Sequence, residues 1–392
     1  MLHPCFCEQR MQYRDGKVLR TPIAERPEGG PMNDPYADDL VWTPVRYAHN
    51  GPVALAHDRL DGAHGTPLLL VMGLGTNRFW WPAALCRALA EAGFAVARYD
   101  QRDAGGSTRM PDTSVRNPFK ALFGRRGESY TSEDMTDDAV AVLDALGWDR
   151  AYVFGHSLGG VIAQRIALRH PDRVRGVVSS SALSSDTAGP RVLRHLRPGL
   201  PLRLARARFP EGREGEVEAA LAVRRGVASP GYPFDEEAAR AWARAQADAG
   251  PRDTRAQSRQ IGAQWHGPPL RALRRPLLVL HGEQDQLLRL SAARATARAV
   301  PGSRLVTFPG VGHDLPAPLA PVVAREVRAL ADAADTADTA EAAEATGVGD
   351  ASGAAGVAGA ADPVDTAGAA DTAGAADAEG VVDAEGAAAA GR

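Results

Sequence analysis

The sequence contains little cysteine, and this shortage excludes several classes of protein. Only three of its 392 residues are cysteines, and Cys5 and Cys7 have no second pair of ligands beside them. The third, Cys86, is isolated in the sequence. This pattern indicates neither a disulfide framework nor a zinc site, so we expect a metal-free protein of the reducing cytoplasm.

Long apolar runs and clustered lysines are also missing. No stretch approaches 18 apolar residues, and no cationic segment followed by an apolar run begins the chain, which predicts neither a membrane span nor export. Lys17 and Lys120 are the only lysines beside 43 arginines, and the arginines are scattered. Without a concentrated basic tract we expect no nucleic-acid partner. A monomer is the default expectation.

The two ends of the chain lack the composition of a folded core. Residues 332–392 consist mainly of Ala, Gly, Asp, Thr and Glu, with no aromatic residue and no leucine. They hold thirteen acidic side chains and one basic one, Arg392, so the rest of the chain has a net positive charge. Such a segment buries too little apolar surface to offset the entropy of ordering. We therefore expect a disordered acidic tail at 332–392, and a disordered extension at 1–40.

Between these ends, strand-like and helix-like segments alternate from about Val41. This alternation predicts an α/β fold with a mostly parallel central sheet flanked by helices. Continuous apolar runs such as PLLLVM at Pro67–Met72 are typical of strands buried on both faces. The alternation stops where Arg, Ala, Glu and several prolines replace the strand patterns. We therefore expect a core made of residues 41–184 and 275–331, with an inserted helical cap at 185–274.

The stretch FGHSLGG lies where a predicted strand, Ala151–His156, meets a predicted helix that begins at Leu158. A G-x-S-x-G sequence between a buried strand and a helix forms a tight turn that holds the serine in a strained backbone geometry. The amides at the start of the helix favour negative charge beside that serine. Ser157 is therefore the candidate nucleophile.

A serine hydroxyl needs a histidine base, and the base needs a carboxylate that orients it. On a sheet of this kind the partners follow the serine in the order acid, then histidine. Asp285 comes just after the predicted strand PLLVL, and His313 comes after RLVTF. We therefore predict Ser157, Asp285 and His313 as a catalytic triad at one sheet edge. Asp186, which follows the strand before the insert, is an alternative to Asp285.

Acyl transfer also needs two backbone donors for the oxyanion. We expect one from the N–H of Leu158 and the other from the N–H of Leu74, in the glycine-containing loop after PLLLVM. Such a site requires no metal and no cofactor.

Four residues near these donors are candidates for the substrate pocket: Gly73, Phe79, Trp80 and His156. For the aromatic residues core packing is the alternative, and for His156 support of the turn. The remaining titratable residues receive structural interpretations: His170 as a cation at a helix end, His281 and Asp314 as structural residues, and Glu283 as a surface residue.

The sequence resembles the α/β-hydrolase superfamily over about Val41 to Ala331. The matching motifs are VMGLGTNRFWWP, RYDQRDAGGST, FGHSLGG, HGEQD and GVGHDLP. Within RYDQRDAGGST, the segment Asp100–Ser107 is similar to the D-x-R-x-x-G-x-S loop of this superfamily, a structural turn near the pocket. The motifs are most similar to those of actinobacterial esterases of the aclacinomycin methylesterase type, which cleave a methyl ester on a polyketide aglycone.

This resemblance implies hydrolysis in two steps, with an acyl-enzyme on Ser157. We therefore expect a carboxylic-ester hydrolase that acts on a small-molecule ester substrate. The same triad also serves thioester, lactone or carbon–carbon bond cleavage and peracid formation, and these alternatives remain open. Epoxide hydrolases and haloalkane dehalogenases would carry Asp where Ser157 stands. A ligand receptor or scaffold without catalysis is the alternative from another class, although every catalytic position is filled here.

Overall fold

A computed structural model of the chain describes residues 9–14, 17–22, 40–110, 130–248 and 254–345. Ten strands occur in these ranges: β1 (Gln9–Arg14), β2 (Lys17–Pro22), β3 (Arg46–Asn50), β4 (Val53–Arg59), β5 (Thr66–Val71), β6 (Phe94–Tyr99), β7 (Ala151–His156), β8 (Val174–Ser180), β9 (Leu277–Gly282) and β10 (Arg304–Phe308). The same ranges contain nine α-helices: α1 (Ala83–Glu91), α2 (Ser132–Leu146), α3 (Leu158–Arg169), α4 (Gly199–Arg206), α5 (Arg213–Val227), α6 (Glu236–Asp248), α7 (Thr254–Gly262), α8 (Leu290–Ala299) and α9 (Ala320–Ala345).

Strands β3 to β10 form one sheet with the spatial order β10-β9-β8-β7-β5-β6-β4-β3. The six strands from β10 to β6 pair in parallel, whereas β4 pairs antiparallel with both β6 and β3. The predicted mostly parallel sheet is therefore confirmed. Because parallel strands end at one edge, the segments that follow β5, β7, β9 and β10 meet there.

Apolar side chains cover both faces of the sheet, which explains the continuous apolar runs. Leu69 and Val71 of β5 belong to a core cluster that includes Ile162 of α3. Leu68 and Leu70 belong to a second cluster, which includes residues of α1 and α9. Burying each of these leucines stabilises the fold by roughly 1.5–3 kcal/mol.

Helices α4 to α7 lie between β8 and β9, within the insert expected at 185–274. The insert has its own apolar cluster, which includes Val217 and Leu221 of α5 and Trp242 of α6. Trp80, from the segment after β5, packs against this cluster. The insert thus contacts the sheet edge at which the parallel strands end. In the described ranges, no helix is both long enough and apolar enough to cross a membrane.

The prediction of disorder for residues 1–40 needs correction. Strands β1 and β2 pair antiparallel as a separate two-stranded sheet, with Arg14 opposite Lys17. In the sequence they are separated by Asp15-Gly16, a dipeptide strongly favoured in two-residue hairpin turns. The average composition of residues 1–40 does not reveal this dipeptide signal. The rest of the segment up to residue 39, with Cys5 and Cys7, lies outside the described residues.

The prediction that the disordered tail begins at Asp332 is also wrong. Helix α9 continues to Ala345, Ala334 is buried, and Asp335 Oδ1 accepts a hydrogen bond of 2.9 Å from the Tyr152 hydroxyl. The glycines that argue against a helix begin only at Gly347, and alanine has the highest helix propensity. Residues 346–392 lie outside the described residues, so the expected disorder stays a prediction there.

Candidate active site

Ser157 occupies a strained turn between β7 and α3. Its φ of 56° and ψ of −122° fall in a region that residues other than glycine rarely adopt. A Cβ on Gly155 would lie 2.0 Å from the Gly159 carbonyl oxygen, and one on Gly159 would lie 2.0 Å from the Val71 carbonyl oxygen. Only glycine fits at these two positions, so the backbone presents Ser157 at the end of its strand.

Asp285 and His313 are joined by a hydrogen bond of 2.8 Å between Oδ2 and Nδ1. The other carboxylate oxygen accepts the amides of Leu287 at 2.7 Å and Leu288 at 2.8 Å. Burial alone would raise the pKa of Asp285, but the nearby His313, its hydrogen bond and the Leu288 amide lower that pKa to about 2. Asp285 is therefore ionised at neutral pH. Because a carboxylate only accepts, Nδ1 of His313 donates, and Nε2 is the basic nitrogen of the neutral ring.

Three of the loops predicted to form the site converge. The ring of His156, the neighbour of Ser157, has its centroid 5.1 Å from that of His313. On the other side, a Cβ added to Gly73 would lie 3.5 Å from Oγ of Ser157. The loops after β5 and β7 therefore meet at Ser157, and the loop after β10 reaches its neighbour His156.

Asp186, the alternative acid, has a different partner. Its Oδ1 accepts a hydrogen bond of 2.7 Å from the amide of Leu270, at the end of the insert. Asp285 is therefore the predicted acid that the structure brings to His313.

His156 and His281 are buried near this pair. Nδ1 of His156 lies 3.2 Å from Oγ of Ser180, and burial together with the nearby His313 lowers the pKa of His156 to about 3. Nε2 of His281 lies 3.9 Å from Oδ2 of Asp285, and burial lowers the pKa of His281 despite that carboxylate. Both rings are neutral at pH 7. Because His281 lies beyond hydrogen-bond distance of Asp285, His313 is the histidine that Asp285 orients.

Residues of the insert hold the loop that contains His313. The Val227 carbonyl accepts the amide of His313 at 3.1 Å, and Oγ of Ser229 accepts the amide of Gly312 at 2.8 Å. The hydroxyl of Ser229 also donates to Asp314, which agrees with the structural role expected of that aspartate. Sequence reasoning missed Ser229, because it lies 83 positions before Gly312 and no local motif marks it.

The two candidate oxyanion donors flank Ser157. Leu158 is the first residue of α3, and an N–H at that position has no partner within its helix. Leu74 follows Gly73, which abuts Ser157, and in the part of the chain that the structure describes its N–H meets no acceptor. Both amides are thus available to a ligand.

The two aromatic pocket candidates pack in different surroundings. The ring centroid of Trp80 lies 4.3 Å from that of Trp242, in the insert. Phe79 lies beside two guanidinium groups, with Cζ of Arg78 at 4.4 Å and Cζ of Arg98 at 5.1 Å from its ring centroid. Their part in a substrate pocket stays a prediction.

The segment Asp100–Ser107 forms a structural turn, as the resemblance implies. Asp100 accepts the amides of Arg78 at 2.6 Å and Gly106 at 2.9 Å, and Asp103 is paired with Arg259 of α7 at 2.8 Å. The turn therefore connects the loop after β5 with the insert.

His170 and Glu283, which have structural interpretations in the sequence, each contact a polar side chain. His170, at the end of α3, lies 2.8 Å from Asp137, and the exposed Glu283 accepts a hydrogen bond from Thr307. Among the described residues, no group of three or more His, Cys, Asp and Glu is arranged to hold a metal ion.

Comparison with known proteins identifies a family for this chain. A family model described as alpha/beta hydrolase fold matches residues 66–316. The rhodomycin D methylesterases DauP of Streptomyces sp. (strain C5) and DnrP of Streptomyces peucetius are each 29% identical to this chain, over 307 and 309 residues, and each match covers 73% of this chain and 99% of the relative. A solved structure of a hydrolase from Pseudomonas aeruginosa PA01 is similar in fold, with 24% identity and a TM-score of 0.54 over 73% of this chain and 98% of that one.

Proposed function

Because the chain belongs to the α/β-hydrolase fold family, we propose that it is a serine hydrolase that cleaves a carboxylic ester through an acyl-enzyme on Ser157. The observation that carries this proposal is the Asp285–His313 hydrogen bond, formed beside the strained turn of Ser157. A histidine oriented by a buried carboxylate is what a serine hydroxyl needs to become a nucleophile.

In the first step, Nε2 of His313 takes the proton of the Ser157 hydroxyl while Oγ attacks the ester carbonyl carbon. The amides of Leu158 and Leu74 bind the resulting oxyanion. The bond from carbon to the alcohol oxygen then breaks, and His313 gives its proton to the departing alcohol. Asp285 stays ionised throughout and stabilises the positive charge on the imidazole.

In the second step, His313 takes a proton from water, which attacks the acyl-enzyme carbonyl. The same two amides hold the second oxyanion. Collapse of this intermediate releases the carboxylic acid and returns the proton to Oγ of Ser157. The protein is then ready for another ester molecule.

For the substrate, we propose a methyl ester of a polyketide-like small molecule. Two relatives that match over nearly their whole length are named as rhodomycin D methylesterases. Initial rates test this choice. A methyl ester of a chromophoric acid is compared with acetyl and long-chain acyl esters of a chromophoric alcohol. A preference for long acyl chains over methyl esters would contradict it.

The catalytic proposal is tested on Ser157 itself. A serine-directed phosphonate should label the wild type at Ser157, and Ser157→Ala should lose both labelling and turnover of a short nitrophenyl ester. Ser291→Ala is the matched control, because Ser291 is an exposed serine bonded to His195. Full turnover by Ser157→Ala would contradict the proposal.

A further inference from the structure

The peptide group that joins Gly73 to Leu74 is held by a side chain. The Thr76 hydroxyl donates a hydrogen bond of 2.8 Å to the Gly73 carbonyl oxygen. This carbonyl and the Leu74 N–H belong to one planar, trans peptide group, so they point in opposite directions. By fixing the carbonyl, Thr76 fixes the direction of the Leu74 N–H.

The next peptide group, between Leu74 and Gly75, is held by a residue of the insert. Oε1 of Gln260 accepts the Gly75 N–H at 2.8 Å, and Nε2 of Gln260 donates to the Arg102 carbonyl at 3.0 Å. Gln260 is only 2% exposed, so these bonds lie away from water. Helix α7 therefore fixes the second peptide plane next to Leu74, although Gln260 lies 185 positions after Gly75.

The neighbouring amides of Leu74 and Gly75 differ in whether a ligand could bind them. The Gly75 N–H is occupied by Gln260, whereas the Leu74 N–H has no acceptor among the described residues. Gly75 is also close to Gln257, since an added Cβ would lie 2.5 Å from that side chain. The loop thus has little room to turn the Gly75 amide toward Ser157.

We propose that Thr76 and Gln260 are positioning residues for the oxyanion donor Leu74. This inference rests on the proposed function, because an oxyanion forms only if Ser157 attacks a carbonyl. A donor that is aligned before the reaction stabilises the developing charge without reorganising in the transition state. Through Gln260, the helical insert therefore serves the chemistry as well as covering the sheet edge.

The test uses Thr76→Val and Gln260→Leu in the full chain. Each variant removes the hydrogen-bonding group and keeps a similar side-chain size. We expect kcat for a nitrophenyl ester to fall about tenfold, less than the 10²–10³ that follows loss of a whole donor. We expect KM to stay within about twofold, because the lost interaction strengthens only in the transition state. The rate of phosphonate labelling should fall in parallel with kcat, because the phosphonyl oxygen takes the oxyanion position.

Two further variants distinguish a positioning role from a general disturbance of the structure. Thr76→Ser keeps the hydroxyl and should retain the wild-type kcat. Gln246→Leu is the matched control, because Gln246 is a glutamine of the insert that bonds the Asn77 side chain at 2.8 Å and neither peptide group beside Leu74. It should leave kcat and the labelling rate unchanged. If Gln260→Leu fails to fold, the comparison of Thr76→Val with Thr76→Ser decides.

The outcomes distinguish this inference from the proposed function. If Ser157→Ala is inactive while Thr76→Val and Gln260→Leu keep the wild-type kcat and labelling rate, the positioning role is wrong and the serine hydrolase stands. A rise in KM with kcat unchanged would also overturn it, since that pattern indicates ground-state binding. If Ser157→Ala remains active, both proposals fail.

Discussion

The Nδ1 atom of His313 lies 2.8 Å from Oδ2 of Asp285, although the residues are 28 positions apart in the chain. They follow β10 and β9, which pair in parallel at one end of the sheet. The pairing of these strands brings the carboxylate next to the imidazole. The amides of Leu287 and Leu288, which donate to Oδ1, hold it there. The relationship fixes which nitrogen of His313 carries the proton.

Replacing Asp285 with Asn should therefore abolish most of the activity. An amide in this position can donate to Nδ1, which favours the tautomer whose Nε2 is already protonated. In a serine protease with the same arrangement this change lowers kcat about 10⁴-fold, and we expect a similar loss here. Steady-state kinetics on a nitrophenyl ester measure the effect.

Asp186→Asn is the matched control for that experiment. Asp186 bonds the Leu270 amide at the end of the insert and not His313, so kcat should stay near the wild-type value. Loss of activity in Asp186→Asn with activity retained in Asp285→Asn would reverse the assignment of the acid.

The buried His156 should make the stability of the fold depend on pH. Its pKa is lowered to about 3, mainly by burial, whereas an unfolded histidine titrates near 6.5. Between these values the unfolded state binds a proton that the folded state does not, so stability is lost as pH falls. From pH 7 to pH 5, the wild type should lose about 2 kcal/mol more free energy of unfolding than His156→Gln.

Urea unfolding at pH 7, 6 and 5 measures this difference. His64→Gln serves as the control, because His64 is exposed, and it should follow the wild-type pH dependence. Parallel curves for the wild type and His156→Gln would show that His156 does not stay neutral in the folded protein.

The turn at Ser157 should not tolerate side chains at its glycines. In Gly159→Ala, the new Cβ would lie 2.0 Å from the Val71 carbonyl oxygen, so strand and helix must separate. We expect a loss of at least about 3 kcal/mol, the upper end for overpacked cores. Gly199→Ala is the control, since no atom lies within 4 Å of its added Cβ, and it should change stability by less than about 1 kcal/mol. Equal urea midpoints for both variants would contradict this account.

The sheet was predictable, and a triad could be proposed, because the sequence signals for both are local. FGHSLGG places Ser157 between a strand and a helix, and Asp285 and His313 each follow an apolar run. An apolar run of this kind indicates a buried strand, and the strand's end at the sheet edge, without information on residues distant in the sequence. The family match confirms the fold predicted from these patterns.

The contacts between insert and core could not be predicted. Gln260 meets Gly75 across 185 positions, and Ser229 meets Gly312 across 83. A single glutamine on a polar helix, such as Gln260, or a single serine after the end of a helix, such as Ser229, has no periodicity that indicates its partner. The ordered stretches at the two chain ends escape prediction for a different reason: each is short, and the average composition of the longer segment around it does not reveal it.

The part of α9 that follows Ala331 should stabilise the core. Ala334 is buried, and Asp335 Oδ1 lies 2.9 Å from the Tyr152 hydroxyl and 3.6 Å from Nη1 of Arg175. A chain that ends at Ala331 loses these contacts, and we expect its free energy of unfolding to fall by about 1–3 kcal/mol. A chain that ends at Ala345 keeps every described contact of α9 and should unfold at the same urea concentration as the full chain. Equal midpoints for the two truncated chains would show that the helix past Ala331 adds nothing to stability.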